Sequence, residues 1–327
     1  MFAAYRKHFQ EAIPQVPGGK YAHFVVLRKT DSYAVFKTDG ELNVARVQAG
    51  LKNANRVTRP IIFKRKQTTP ERLVGRELLR HYGIYEVIQQ EHNLECKYNE
   101  APCGVCPDCV IYGYAIGDSG SEKSKVYIDT AYALTPYEVS HQTFTLNAPY
   151  EDGTMTRGTT TTNRFSEQDH VIPEVYFPSV VTLRDPTSNT FLYVLNNLLR
   201  TKRYGAQTTR TGQVHNEIVA VVFADGEIFS NLRLTQKMYD LLADVDPPYP
   251  HEVVREKSEK AVEELMKDEL VIHKLVMGDV LNELMKEAYT QLNQEETFKK
   301  WLQQLVDESL NYAERVGVLG GKKEKGK

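Results

Sequence analysis

All four cysteines of this 327-residue chain fall between Cys96 and Cys109, in the spacing C-x6-C-x2-C-x2-C of "CKYNEAPCGVCPDC". Four soft ligands so close in sequence oblige the backbone to wrap around a common centre, a stronger local constraint than any apolar pattern. The start, "MFAAYRKHFQEAIPQ", carries scattered charges and no apolar run of signal-peptide length. The longest apolar stretch, "IVAVVFA" from Ile218 to Ala224, is too short to span a bilayer. The expected address is cytoplasmic and reducing, with no membrane partner, where clustered cysteines speak for metal coordination and against a disulfide framework. Tetrahedral zinc on Cys96, Cys103, Cys106 and Cys109 is the leading reading, with His92 as a substitute ligand if Cys96 does not reach. An iron–sulfur run usually sets its fourth cysteine downstream, before proline, whereas here Cys96 lies upstream. Reduced, unligated thiols are the remaining alternative. With four ligands and no open position the zinc is expected to be structural and not a Lewis acid.

Charge is unevenly distributed. The net charge is -2, yet Lys52–Arg80 holds nine basic residues against two acidic ones, and Asp240–Glu314 holds eighteen acidic against eight basic. A local field steers a polyanion whatever the total charge, so the first segment, with Arg56, Arg59, Lys64 and Lys66, is a candidate phosphate-binding track. The second is not expected to face nucleic acid.

The pattern of elements suggests an α+β fold. "YAHFVVL" (Tyr21–Leu27), "SKVYID" (Ser124–Asp129), "VYFPSVVTL" (Val175–Leu183) and "EIVAVVFADGEIFS", with its Asp225-Gly226 hairpin signal, read as strands. "TTPERLVGRELLRHYGIY" reads as a helix capped at Thr69 with Pro70 at its first position, and "TSNTFLYVLNNLLRTKRYG" as one running to a stop at Gly205. The order β-α-β-β-α-β predicts a ferredoxin-like, RNA-recognition-type core over 1–239. It carries three insertions: a basic loop at 29–68, a zinc subdomain at 92–122 and a long hairpin or arm at 140–172. A proline-rich joint, "DVDPPYPHE", then leads into a C-terminal region at 240–327. There Leu265, Ile272, Val276, Val280 and Leu284 read as one helical stripe, Phe298, Trp301, Leu302 and Leu305 as another, and "GGKKEKGK" as a disordered tail.

Several short motifs line up over about residues 20 to 230. "PERLVGRELLR" (Pro70–Arg80) opens the first helix, and "CPDCVIYG" is followed by "SKVYIDTA". Arg164 precedes the strand "PEVYFPSVV", and the glycine-rich basic loop "YGAQTTRTGQV" (Tyr204–Val214) leads into the last strand. In this order they resemble the repeat-associated RNA-binding (RAMP) superfamily of CRISPR effector complexes. The likeness is greatest to the large backbone subunit of the type I-D Cascade surveillance complex.

The resemblance implies a subunit that polymerises along a CRISPR guide RNA, holds its phosphates and leaves its bases free to pair with target DNA, and possible target RNA, in antiviral defence. Copies of itself and other Cascade subunits are the implied partners. The arm would act as a thumb kinking the neighbour's RNA, with Met155 as a wedge and Arg157 on a phosphate. The glycine-rich loop would offer Thr208, Thr209 and the bidentate fork of Arg210, and Arg76 and Arg80 share a helix face from which both can reach phosphates. Related type III subunits cut target RNA with an aspartate after the first strand, a place held here by Asp31 and Asp39. Both also suit turns, so the chain is read foremost as a non-enzyme. An endoribonuclease on the same scaffold and a zinc-stabilised RNA-binding protein unconnected with guides stand as alternatives.

Overall fold

The computed structural model describes residues 1–38, 41–117, 120–146, 150–154, 156–157, 160–161, 166–205 and 207–319. Its principal strands are β1 (Tyr21–Thr30), β2 (Val44–Gln48), β3 (Arg56–Ile62), β4 (Val126–Ile128), β5 (Ala131–Tyr132), β6 (His141–Leu146), β7 (Ser166–Val171), β8 (Tyr176–Arg184), β9 (Val214–Ala224) and β10 (His273–Val276). The helices are α1 (Lys64–His81), α2 (Ile84–His92), α3 (Pro107–Tyr112), α4 (Ser188–Arg200), α5 (Asn231–Leu241), α6 (His251–Met266), α7 (Gly278–Asn293) and α8 (Glu295–Arg315). The result is a mixed α+β architecture around an antiparallel sheet ordered β10-β9-β1-β8-β4, with helices following at the C-terminal end.

β1 explains the layering. Its run of consecutive apolar residues leaves nothing for solvent on either face, which suits a strand covered on both sides. Ala22, Phe24 and Val26 pack into a core with Leu78 and Leu79 of α1, Phe191 and Leu195 of α4, and Trp301 and Leu305 of α8. Val25 and Leu27 pack on the opposite face against Leu234 and Met238 of α5 and Val254 and Val262 of α6. The sheet therefore offers no open face of the kind an RNA-recognition sheet uses for bases. A third cluster, including Phe36, Ile62, Phe177, Tyr204 and Val214, lies at the end of the sheet where the arm begins.

Several boundaries differ from the sequence reading. α1 starts at Lys64, six residues before Pro70, which sits inside it. Proline lacks the N–H that would bond the Lys66 carbonyl, and that carbonyl accepts the Gly205 N–H instead, at 3.3 Å. The expected basic loop at 29–68 is largely ordered, with β2 and β3 paired from Val44↔Pro60 to Gln48↔Arg56. Asp225-Gly226 does not close a hairpin. The chain goes on into α5, and the strand paired with β9 is β10, with Asp225 accepting the Ile272 N–H at 2.9 Å. That pairing dissolves the expected C-terminal stripe: Leu265 lies in the last turn of α6, Val276 lies in an edge strand, and Ile272 and Val280 are exposed. Among the described residues three helices, α6 to α8, follow in place of two. α4 ends at Arg200, so Lys202 and Arg203 belong to the loop beyond it. Among the described residues no helix is long and apolar enough to cross a membrane.

His23 adds a pH dependence. Its Nδ1 lies 2.8 Å from Thr182 Oγ1 and its Nε2 3.0 Å from the Gly226 carbonyl, inside the sheet. Burial lowers its pKa from 6.5 to about 4, against the smaller upward pull of the Gly226 carbonyl. Above pH 6.5 the ring is neutral in both states and stability is fully present. As pH falls from 6.5 towards 4 only the unfolded chain takes up the proton, and about 3 kcal/mol is lost. Urea midpoints of His23→Gln are expected to fall less steeply than wild type across this window; parallel curves would assign the acid sensitivity elsewhere.

Candidate metal centre and nucleic-acid interface

The cysteine segment folds because its ligands sit on tight local turns. Gly104 takes a left-handed φ of 75°, and Cys106 caps α3, its Sγ accepting the Cys109 N–H, with Pro107 at the first helical position. The four Sγ atoms lie within 4.8 Å of one another, with Cys96–Cys106 at 3.8 Å, Cys96–Cys109 at 3.6 Å and Cys103–Cys109 at 4.0 Å. Four thiolates about 2.3 Å from one tetrahedral ion stand about 3.8 Å apart, so the donor set fits a single metal ion and is consistent with zinc. Cys96 is pulled down by the hydrogen bonds it accepts from Cys103, Cys106 and Cys109, while burial pushes the Cys106 thiol up. Four thiolates here require a cation. Cys96 reaches the cluster, so His92 is not needed as a ligand; its Nε2 lies 3.9 Å from Glu91.

Two arginines read from the sequence as phosphate contacts belong to this centre or to the core. Arg76 is 2 % exposed; its Nη1 donates to Cys96 Sγ at 3.3 Å and to Asp108 Oδ2 at 2.9 Å, and its Nη2 to the Cys96 carbonyl at 2.9 Å. One turn earlier Arg72 grips the same carboxylate bidentately, at 3.0 and 2.9 Å. Asp108, between the last two ligands and fully buried, thus ties the metal loop to α1. The sequence reading missed Asp108 and Arg72, although an arginine pair four apart facing "CPDC" is a usable signal. Arg59 is also fully buried, donating to the carbonyls of Ala49, Ala133 and Leu134 with its guanidinium 4.7 Å from the Tyr239 ring centroid. Burial withdraws Arg59 and Arg76 from any surface track.

The glycine-rich loop has its own buried anchor. Arg28 pairs with Glu71 at 2.9 Å with both side chains fully buried, Tyr204 Oη donates to the same Glu71 oxygen at 2.9 Å, and Asn216 Nδ2 donates to Tyr204 Oη at 2.8 Å. Burial pushes the Glu71 carboxyl up, opposed by Arg28 and Tyr204. The network joins β1, α1, the loop and β9. Gly205, at φ 95°, and Gly212 hold the loop tight: a Cβ on Gly212 would lie 2.6 Å from the Tyr33 carbonyl oxygen, which accepts the Gly212 N–H at 2.7 Å. Between them Thr208, Thr209 and Arg210 form an exposed turn.

The predicted contacts are therefore not one surface. Exposed Lys64 and half-buried Lys66 stand at the start of α1, where the Gly205–Lys66 bond docks the loop carrying Thr208, Thr209 and Arg210. Asp31 joins this group. It is exposed, 3.3 Å from Lys29 Nζ, and its N–H donates to the Gln213 carbonyl at 2.9 Å. Arg80, also exposed, is about 21 Å from Lys66 along α1. Arg56 lies at the far end of β3, about 20 Å from Ile62. The arm is a ladder of β6 on β7 from His141↔Val171 to Leu146↔Ser166, its base pinned where Ala34 and Val171 exchange two backbone bonds. Arg157 lies in the two-residue strand Thr156–Arg157. Asp39, Met155 and Arg164 lie outside the described residues, as does the tail from residue 320.

The sequence model of the family described as Csc2 Crispr matches residues 8–302. Among solved structures the chain is similar to "Crystal structure of Thermofilum pendens Csc2", with a TM-score of 0.62 and 20% identity, over 98% of this chain and 97% of that one. It is also similar to a chain of "CRISPR RNA-guided surveillance complex, pre-nicking", with a TM-score of 0.50 and 11% identity, over 79% of this chain and 92% of that one. At these identities the likeness is one of fold. No curated protein matches the chain in sequence.

Proposed function

Because this chain belongs to the Csc2 CRISPR family, we propose that it is a guide-RNA-binding backbone subunit of a type I-D Cascade complex. It would repeat along the RNA and hold its phosphates while guide–target pairing reads target DNA. The observation that carries the reading is the docking of the exposed Thr208–Arg210 turn on the lysine-bearing start of α1, through the bond between Gly205 and Lys66. Neutral hydroxyls, a guanidinium fork and two lysines are phosphate donors without base preference.

Two further features support it. The order β9-β1-β8-β4 is fourth, first, third, second among the strands read from the sequence, the split β-α-β arrangement of a ferredoxin-like RAMP core. The arm leaves the body beside the same loop, which suits a thumb that reaches a neighbouring copy. A head-to-tail contact of that kind does not close, so copies would form a helical filament with the other Cascade subunits at its ends. The metal in this reading is zinc, a structural clamp beside the RNA site, in a cytoplasmic protein.

Replacing Lys64, Lys66 and Arg210 together with alanine is expected to weaken single-stranded RNA binding roughly tenfold or more for every sequence tested. The slope of log K against log salt should become shallower by about 2. Unchanged affinity and slope would remove this track. Guide-length RNA co-purifying with the protein supports the filament; cleavage of complementary RNA that disappears in Asp31→Ala would favour the endoribonuclease instead.

A further inference from the structure

The Tyr33 side chain has no part in the sites described above, yet three elements fix its position. Its carbonyl takes the Gly212 N–H of the glycine-rich loop, and the next residue, Ala34, is bridged to Val171 at the base of the arm. Its hydroxyl donates to Gln142 Oε1 on β6 at 3.1 Å. The ring meets Phe144 at 4.8 Å and 88° and His170 at 6.4 Å and 89°, both perpendicular contacts. Among the described residues no aromatic ring lies parallel to it, and 37 % of the residue is exposed. Among the described phenylalanine, tyrosine and tryptophan residues only two others are as exposed, Phe63 ahead of α1 and Tyr289 on the acidic α7. A ring held from several sides loses little freedom when a flat partner lies on it, and nucleobases stack on such rings with little regard to sequence.

We propose that Tyr33 is a stacking platform for one unpaired nucleobase of single-stranded RNA, placed where the arm leaves the body. The phosphates flanking that base would lie toward Thr208, Thr209 and Arg210. The inference rests on the RNA-binding reading above and adds a residue that takes a base where the others take phosphates.

The test uses the full chain, a labelled oligouridylate and an abasic ribose-phosphate strand of equal length, with binding read by fluorescence anisotropy. Tyr33→Phe keeps the ring, Tyr33→Leu keeps apolar bulk without it, and Tyr289→Leu removes an exposed ring elsewhere. On oligouridylate, wild type, Tyr33→Phe and Tyr289→Leu are expected to bind alike, and Tyr33→Leu about tenfold more weakly. On the abasic strand Tyr33→Leu is expected to equal wild type. Equal binding of Tyr33→Leu and wild type to oligouridylate overturns the inference while leaving the phosphate track standing. So does an equal loss on both strands, or a loss shared by Tyr33→Phe, since either assigns Tyr33 to bracing the arm through Gln142. If the unmodified protein binds neither strand, the RNA reading falls and this inference with it.

Discussion

Stripping the metal with a chelator, or replacing Cys106 with serine, is expected to lower the unfolding midpoint by on the order of 10 °C. The basis is that the metal loop is not an appendage. Cys103, Val105, Cys106, Cys109 and Ile111 are buried in the same cluster as Leu79 of α1, Phe191 of α4 and Trp301 of α8. Metal-binding free energy at such a site is folding free energy. If the buried sulfurs share a cation, its removal would leave them uncompensated and would loosen the contacts of Arg72 and Arg76 with Asp108. A loss of about 7 kcal/mol in a chain of this size corresponds to roughly 10 °C. Elemental analysis should give one zinc ion per chain. An unchanged midpoint after complete metal removal, checked by the same analysis, would show that the four cysteines hold their fold as thiols.

The second large effect is expected at the pair beneath the glycine-rich loop. Arg28→Met alone leaves the fully buried Glu71 without its cation, and Glu71→Leu alone leaves Arg28 uncompensated; each should cost about 3 to 5 kcal/mol in urea unfolding. The double substitution should recover most of that, because replacing a buried ion pair with apolar groups of similar volume removes the desolvation penalty along with the attraction. Additive losses in the double variant would contradict the pairing. Glu71 also holds Tyr204, so the recovered double variant separates stability from function. It should fold, yet bind RNA less tightly, because the loop bearing Arg210 has lost a bond at its base.

What was legible in the sequence was whatever depends on neighbours in the chain. Four cysteines with gaps of six, two and two residues predict a common centre, since few residues of slack lie between them, and the four sulfurs do converge. Runs such as "YAHFVVL" and "IVAVVFA" predict strands because β-branched and aromatic residues favour a pleated, packed backbone, and both lie in the central sheet. The charge of the Lys52–Arg80 segment was read correctly as a sum and misread in its distribution. Whether an arginine meets solvent depends on partners far along the chain: Asp108 for Arg76, and the carbonyls of Ala133 and Leu134 for Arg59. Nothing within a few residues of Arg59 distinguishes it from Arg56, which is exposed.

The C-terminal region shows the same division. Phe298, Trp301, Leu302 and Leu305 lie on one buried face of a single helix, as helical spacing requires. The stripe from Leu265 to Leu284 obeys the same spacing but is cut, because the edge of β9 offers unpaired backbone groups and the segment containing Val276 satisfies them as β10. Periodicity cannot see a free sheet edge contributed from elsewhere in the chain.

By itself, then, the sequence determined the clustering of the cysteines, the principal strands and helices, the glycine-rich turn and the local sign of charge, all properties of bonds and side chains within a few residues of one another. The tertiary structure alone decided which cations remain at the surface, that both sheet faces are closed, and that Tyr33, Gly212 and the arm meet at one place. Those outcomes depend on desolvation and on hydrogen-bond partners brought together from distant parts of the chain, and no local pattern encodes them.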